Sequence, residues 1–186
     1  MIGLKRGTVA LVPHQKEWGK NAEKTVELLK QLLGDTALDI QHVGSTAICS
    51  IHAKPIIDIA VAVHDLNDML PYIETLKQNN IIFRGEVVAG EILFVIGDND
   101  TRTHHIHVVK WNGTEWNNYI NFRDYLNAYP EKAMMYDNCK QELAARFSND
   151  RKSYTAGKEE MIQLLLAEAS MWRSKFNSYK LKFDEV

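Results

Sequence analysis

Gln41-His42-Val43-Gly44-Ser45-Thr46, followed by Lys54-Pro55-Ile56-Ile57-Asp58-Ile59-Ala60-Val61-Ala62-Val63, is the stretch on which the fold turns. A polar segment reaches a Gly-Ser turn, and a hydrophobic run with one carboxylate inside it follows. Pro55 has no N–H to give to a β-ladder, so it belongs at the mouth of that run. Ile56 to Val63 are short and mostly β-branched, as in a strand buried on both faces. An Asp in such a strand is costly to bury as an ion unless a cation or strong donors meet it. Asp58 is therefore either a functional carboxylate or the cap of a turn near a strand end.

Outward from this stretch, a chain of 186 residues is long enough for one well-packed domain over 1–186. Hydrophobic content of 45%, charged content of 25% and a net charge of -2 describe an ordinary globular protein without a broad nucleic-acid surface. Cys49 and Cys139 have no CxxC spacing, which argues against a disulfide framework or a zinc knuckle. The segment Met1-Ile2-Gly3-Leu4-Lys5-Arg6 lacks the apolar core of a signal peptide, and no run approaches membrane-spanning length. The expected location is the cytoplasm, with no membrane partner.

The element pattern follows from periodicity. Trp18, Ala22, Val26, Leu29 and Leu33 recur at helical spacing over 15–33, and Gly34 closes that helix. A strand is expected at 38–43, the carboxylate strand at 56–63, and a helix from Asp65 to Gln78 that Pro71 bends or restarts. Strands at 81–88, 91–96 and 102–109, joined by Ala89-Gly90 and Gly97-Asp98-Asn99-Asp100, read as an antiparallel meander. Helices follow at 115–128, capped by Thr114, then at 131–147 and 154–178. A mixed sheet flanked by helices, with a helical C-terminal portion from about 114 to 180, is an α+β arrangement.

A Gly-Ser turn offers backbone N–H groups and a hydroxyl to a phosphate, so Gly44, Ser45 and Thr46 are candidate nucleotide-binding residues. With Asp58 on the next strand they resemble the DNA polymerase β-like nucleotidyltransferase superfamily. There the turn holds phosphates and neighbouring carboxylates bind divalent metal. That superfamily's second carboxylate would fall at position 60, on the same strand face, and here it is Ala60. In Arg102-Thr103-His104-His105-Ile106-His107, His105 and His107 share one strand face and His104 takes the other. With Asp58 they form a His-His-carboxylate set that leans toward Mn²⁺, Fe²⁺ or Zn²⁺ over Mg²⁺. The alternative is that these histidines are surface or hydrogen-bonded core residues. A histidine-triad hydrolase is rejected by Thr103 at the place of its third histidine, and a serine hydrolase by the missing second glycine of a nucleophile elbow.

His42 through Ala47, Ala53 through Ile59, Arg102 through Val109, Phe122-Arg123-Asp124-Tyr125-Leu126, and Asp150-Arg151 with Tyr154 and Lys158 resemble the core motifs of the GrpB family. The resemblance spans nearly the whole chain. It implies a bacterial cytoplasmic protein of nucleotidyltransferase-like fold, a type also found fused to dephospho-CoA kinase, without implying a known reaction. Ile48-Cys49-Ser50-Ile51 departs from the Val-Pro-Gly-Leu typical of the family. Arg123, in an apolar stripe, wants an anion: Asp58, Asp124 or a ligand phosphate. Lys158 ends a core-facing stripe and either meets phosphate or snorkels past apolar neighbours. Lys54 and Arg102 are expected to add positive charge beside the same cleft.

The expectation is thus a metal-dependent nucleotidyltransferase, or a phosphoryl-transfer relative, using a nucleoside triphosphate and a small acceptor. Asp58, Arg123 and Lys158 are its candidate catalytic residues, and Asp58, His105 and His107 its candidate ligands for Mg²⁺, Mn²⁺ or Zn²⁺. The competing expectation is a nucleotide- or metal-binding module that has lost catalysis, which Ala60 favours.

Overall fold

In the computed structural model, residues 2–98 and 100–183 are described, with side chains through Lys175. The strands are β1 (Leu4–Lys5), β2 (Asp39–Val43), β3 (Ile57–Val63), β4 (Ile81–Val88), β5 (Glu91–Gly97) and β6 (Thr101–Lys110). The α-helices are α1 (Lys16–Leu33), α2 (Ile73–Gln78), α3 (Thr114–Ala128), α4 (Pro130–Arg146), α5 (Arg151–Gly157) and α6 (Glu159–Phe183). Among the described residues the strands form one mixed sheet ordered β2-β3-β6-β5-β4, with β1 paired to β6. The expected meander β4-β5-β6 is antiparallel, whereas β6 lies parallel to β3. This α+β architecture carries the helical C-terminal portion expected from the sequence.

β3 is buried on both faces for a reason visible in its alternation. Ile57, Ile59, Val61 and Val63 pack on one face with Trp18, Ala22, Leu29 and Leu33 of α1. Trp18 is fully buried, and hiding a side chain of that kind contributes about 2–3 kcal/mol. Ala60 and Ala62 face the other way, with Val43, Val109 and Trp116 of α3. Small residues there let α3 approach, and Asp58 shares this second face.

Several local expectations are refined. Asp65 caps its helix with a reciprocal box involving Asp68, but Pro71 lies in a 3₁₀ segment, Leu66–Tyr72, before α2 begins. Thr114 does not cap α3; it is the first helical residue, and Gly113 holds the cap position without a side-chain bond. The helix expected over 154–178 is two helices, α5 and α6, with Lys158 at their junction. Asp150 caps α5 by accepting from the Ser153 N–H. Asn99, in the turn expected between β5 and β6, lies outside the described residues. Ile48 and Ile51, in the loop that departs from the family pattern, are buried beneath Tyr125, Leu126, Tyr136 and Leu165.

Candidate functional site

Parallel pairing of β3 with β6 sets Asp58 opposite His105 and Ala60 opposite His107. Asp58 Oδ1 lies 3.0 Å from His105 Nδ1 and 3.5 Å from His107 Nε2. One ligand atom from each of the three lies within 4.8 Å of the others, close enough to share a cation. The expected convergence on one sheet face is therefore met. His104 points to the α1 side, where its Nε2 is 3.2 Å from the Thr25 hydroxyl.

Glu91, absent from the expected site, belongs to it. Its Oε1 lies 2.7 Å from His107 Nδ1, and its Oε2 accepts from the Tyr119 hydroxyl at 2.7 Å. Burial opposes a charge on His107, but hydrogen bonds with Asp58 and Glu91 outweigh it and raise the pKa to about 9. For Asp58, burial pushes the carboxyl up, and the bonds from His105 and His107 more than reverse this, holding it well below the usual carboxylate range. A cation entering this set would displace a proton from His107.

Gly44 makes the turn possible in two ways. Its φ of 70° lies in the left-handed region, and a Cβ there would stand 2.5 Å from Asp58 Oδ2. Gly44→Ala should therefore cost on the order of 2 kcal/mol, lowering Tm by about 4–8 °C in a thermal melt, and displace the Asp58 carboxylate. An unchanged melting curve would show that the turn relaxes freely.

Behind the turn, His42 Nε2 is 2.9 Å from the Thr46 hydroxyl. Burial lowers the His42 pKa to about 4, with Asp58 opposing and Arg123 and His14 adding to the shift. Because the folded-state pKa lies below the unfolded value near 6.5, the unfolded chain binds this proton first as pH falls. Stability is full above about pH 6.5 and declines toward pH 4, by at most about 3 kcal/mol from this group. Denaturant titrations from pH 7 to 4.5 on wild type and His42→Gln should show a shallower decline in the variant; parallel curves would remove His42 as the cause.

One cleft of about 510 Å³ joins these parts. Gly44, Ser45, Thr46, Lys54, Asp58, His105, His107 and Lys158 all line it, as do Glu91, Tyr119, Lys140 and Arg151. Lys54 and Lys158 lie against the Tyr154 ring, 5.5 and 4.7 Å from its centroid. Among the described residues no carboxylate lies within ion-pair distance of Lys54, Arg151 or Lys158, whereas Lys140 pairs with Asp137 at 3.4 Å. Burial, with Arg151 and Lys158 adding to it, lowers the Lys54 pKa to about 7. Burial likewise lowers Lys158, partly offset by Asp58.

Two expected cations lie elsewhere. The Arg102 side chain is buried away from the cleft lining, and its guanidinium donates to the Asp98 carbonyl. The Arg123 guanidinium donates to Asp124 at 2.8 Å, Gln41 Oε1 at 3.0 Å and the His42 carbonyl at 2.9 Å. Of the anions expected for it, Asp124 is the one found, so Arg123 ties α3 to the strand entering the Gly44 turn. Arg151 and Glu91 escaped the sequence reading. Arg151 was visible only as part of a family motif, and Glu91 needs the β5–β6 register to bring it beside His107.

Two imidazole nitrogens and one carboxylate oxygen, with open space in front, fit a borderline cation such as Zn²⁺ or Mn²⁺ better than Mg²⁺. Among the described residues no helix is long and apolar enough to cross a membrane.

Comparison with known proteins adds the lineage. The chain is 40% identical over 173 residues to the Glutamate-rich protein GrpB of Alkalihalophilus pseudofirmus, covering 90% of this chain and 99% of that protein. It is 27% identical to a dephospho-CoA kinase of Mycolicibacterium paratuberculosis, of which it spans 48%. A crystal structure of GrpB from Enterococcus faecalis superposes with a TM-score of 0.81 at 28% identity, covering 88% of this chain and 99% of that one. The Cid1 poly(U) polymerase shares the fold at a TM-score of 0.51 and 14% identity, over 72% of this chain and 44% of that one. The fold is thus that of nucleotidyltransferases. The family model described as GrpB protein matches residues 8–168, and with the motifs and the superposition it makes this chain a member of the GrpB family.

Proposed function

We propose that the chain is a cytoplasmic, single-domain, metal-dependent nucleotidyltransferase, or a phosphoryl-transfer relative, that joins part of a nucleoside triphosphate to a small acceptor. The observation that carries this reading is an opposition across one cleft. The Asp58–His105–His107 set faces Lys54, Arg151 and Lys158, cations with no carboxylate partner among the described residues. Partly buried, unpaired cations are expensive to keep, and a polyphosphate is the ligand that would satisfy several at once.

In this reading Gly44 lets phosphate approach Asp58 closely, and Ser45, whose hydroxyl is bonded to Tyr136, offers its backbone N–H. The Thr46 hydroxyl is engaged with His42, which leaves its backbone for the ligand. Asp58, His105 and His107 would hold a divalent cation that, when bound, neutralises charge on the phosphate oxygens. Lys54, Arg151 and Lys158 offset the charge on the departing pyrophosphate. An acceptor oxygen forms the new P–O bond, the bond to pyrophosphate breaks, and the acceptor's proton passes to water. Arg123 positions the turn in place of the catalytic role first expected of it. A functional link to dephospho-CoA kinase belongs to the same proposal.

A second reading, a binding module without turnover, is favoured by Ala60, which leaves one carboxylate where the superfamily has two. Pyrophosphate release, measured across nucleoside triphosphates with Mn²⁺, Zn²⁺ or Mg²⁺ and a pool of small hydroxyl and amine acceptors, decides between them. Release that requires both metal and acceptor supports the transferase. Tight triphosphate binding with no release across the panel supports the module.

A further inference from the structure

Glu91 opens β5 immediately before Ile92, Leu93 and Phe94, and it is only 6% exposed. A carboxylate so placed needs its oxygens fully engaged. Oε1 meets His107 Nδ1 at 2.7 Å, and Oε2 receives the Tyr119 hydroxyl at 2.7 Å. Tyr119 also packs its ring on the imidazole, with centroids 5.0 Å apart. With Nδ1 committed to Glu91, His107 turns its other nitrogen, Nε2, toward Asp58. Ring orientation and tautomer are thereby fixed from behind.

We propose that Glu91, held by Tyr119, is a positioning residue of the cation site and supplies the negative charge that Ala60 does not. Glu91 acts through the imidazole and does not touch the ion. This rests on reading Asp58, His105 and His107 as that site. The carboxylate strengthens a nitrogen donor, so the gain goes to ions that favour nitrogen, and Zn²⁺ and Co²⁺ should bind far more tightly than Mg²⁺.

The test uses the full chain, with Zn²⁺ affinity from chelator competition and Co²⁺ followed by its visible ligand-field bands. Wild type should bind both ions. Glu91→Gln should weaken Zn²⁺ by about 10–100-fold and shift the Co²⁺ bands, because the ligand itself has changed its donor strength. Glu91→Asp, which restores the charge, should recover part of the loss. Tyr119→Phe removes one anchor of Glu91 and should weaken Zn²⁺ by about tenfold, serving as the readout if Glu91→Gln does not fold. Wild-type affinity and unchanged bands in Glu91→Gln, or in Tyr119→Phe where that variant replaces it, overturn the role of Glu91 and leave the site standing. Failure of wild type to bind Zn²⁺ overturns the site and the proposal together.

Discussion

Asp58→Asn should lower nucleotidyl transfer on the order of 10³-fold while leaving the fold intact. The substitution keeps the shape of the side chain but removes the charge on the one carboxylate that both imidazoles face, at 3.0 and 3.5 Å. It removes one of three ligands outright, so metal affinity should fall by more than the roughly 100-fold typical of losing a ligand's hydrogen-bond partner. Triphosphate affinity measured without metal should change little, or rise slightly, because Lys54, Arg151 and Lys158 remain and a negative charge near the phosphates is gone. Steady-state pyrophosphate release, with metal and nucleotide titrations on the same preparation, separates these effects. Transfer that survives in Asp58→Asn would end its catalytic assignment.

The second large effect is expected from the lysines that line the same cleft. Lys54→Met with Lys158→Met should weaken binding of ATP and of inorganic tripolyphosphate by two orders of magnitude or more, each lost charge-assisted contact contributing roughly 1.5–3 kcal/mol. The same double variant should melt no lower than wild type, because like charges are removed from a confined place and apolar packing on Tyr154 is retained. Weak binding without instability cannot be misfolding. Lys54 adds a pH signature. Its pKa is about 7 in the free protein, under the influence of burial, Arg151, Lys158, Asp58 and Lys140. Phosphate prefers the protonated form, so the site takes up a proton on binding, and affinity should fall between pH 6.5 and 8.5. Lys54→Met should flatten that part of the profile. A profile of equal slope in the variant would assign the proton to another group.

Much of this molecule is legible in its sequence because β3 is an unusual strand. Its apolar run, interrupted by Asp58 alone, requires cover on both faces, and the cover found is α1 on one and α3 on the other. Of the three histidines of β6, His105 and His107 could be assigned to one face by alternation alone, and parallel pairing with β3 gave them the expected carboxylate. What escaped was governed by contacts far apart in the chain. Glu91 resembles any charged residue after a hairpin turn until the register sets it diagonal to His107. Arg123 and Lys158 both break apolar stripes, yet one found Asp124 and a carbonyl and the other reached the cleft. Periodicity gives the direction of such a side chain but not the partner waiting there. The division of the last helix at Lys158 is local in sequence, but its packing is not. A Cβ on Gly157 would meet Leu143 of α4 at 2.5 Å, a constraint no window around residue 157 contains.

The cleft takes Asp58 and Glu91 from the sheet and, among the described residues, most of its cations without a carboxylate partner from α5 and the α5–α6 junction, parts of the chain far apart in sequence. Anything bound between them bridges the sheet to the helices, so the ligand acts as a clasp. Occupancy and closure then become one equilibrium, and a ligand at a hundred times its Kd would add about 2.7 kcal/mol to the docking of the helices on the sheet. Amide exchange in α5 and the first turns of α6 should slow when the cleft fills, even at residues that never touch the ligand.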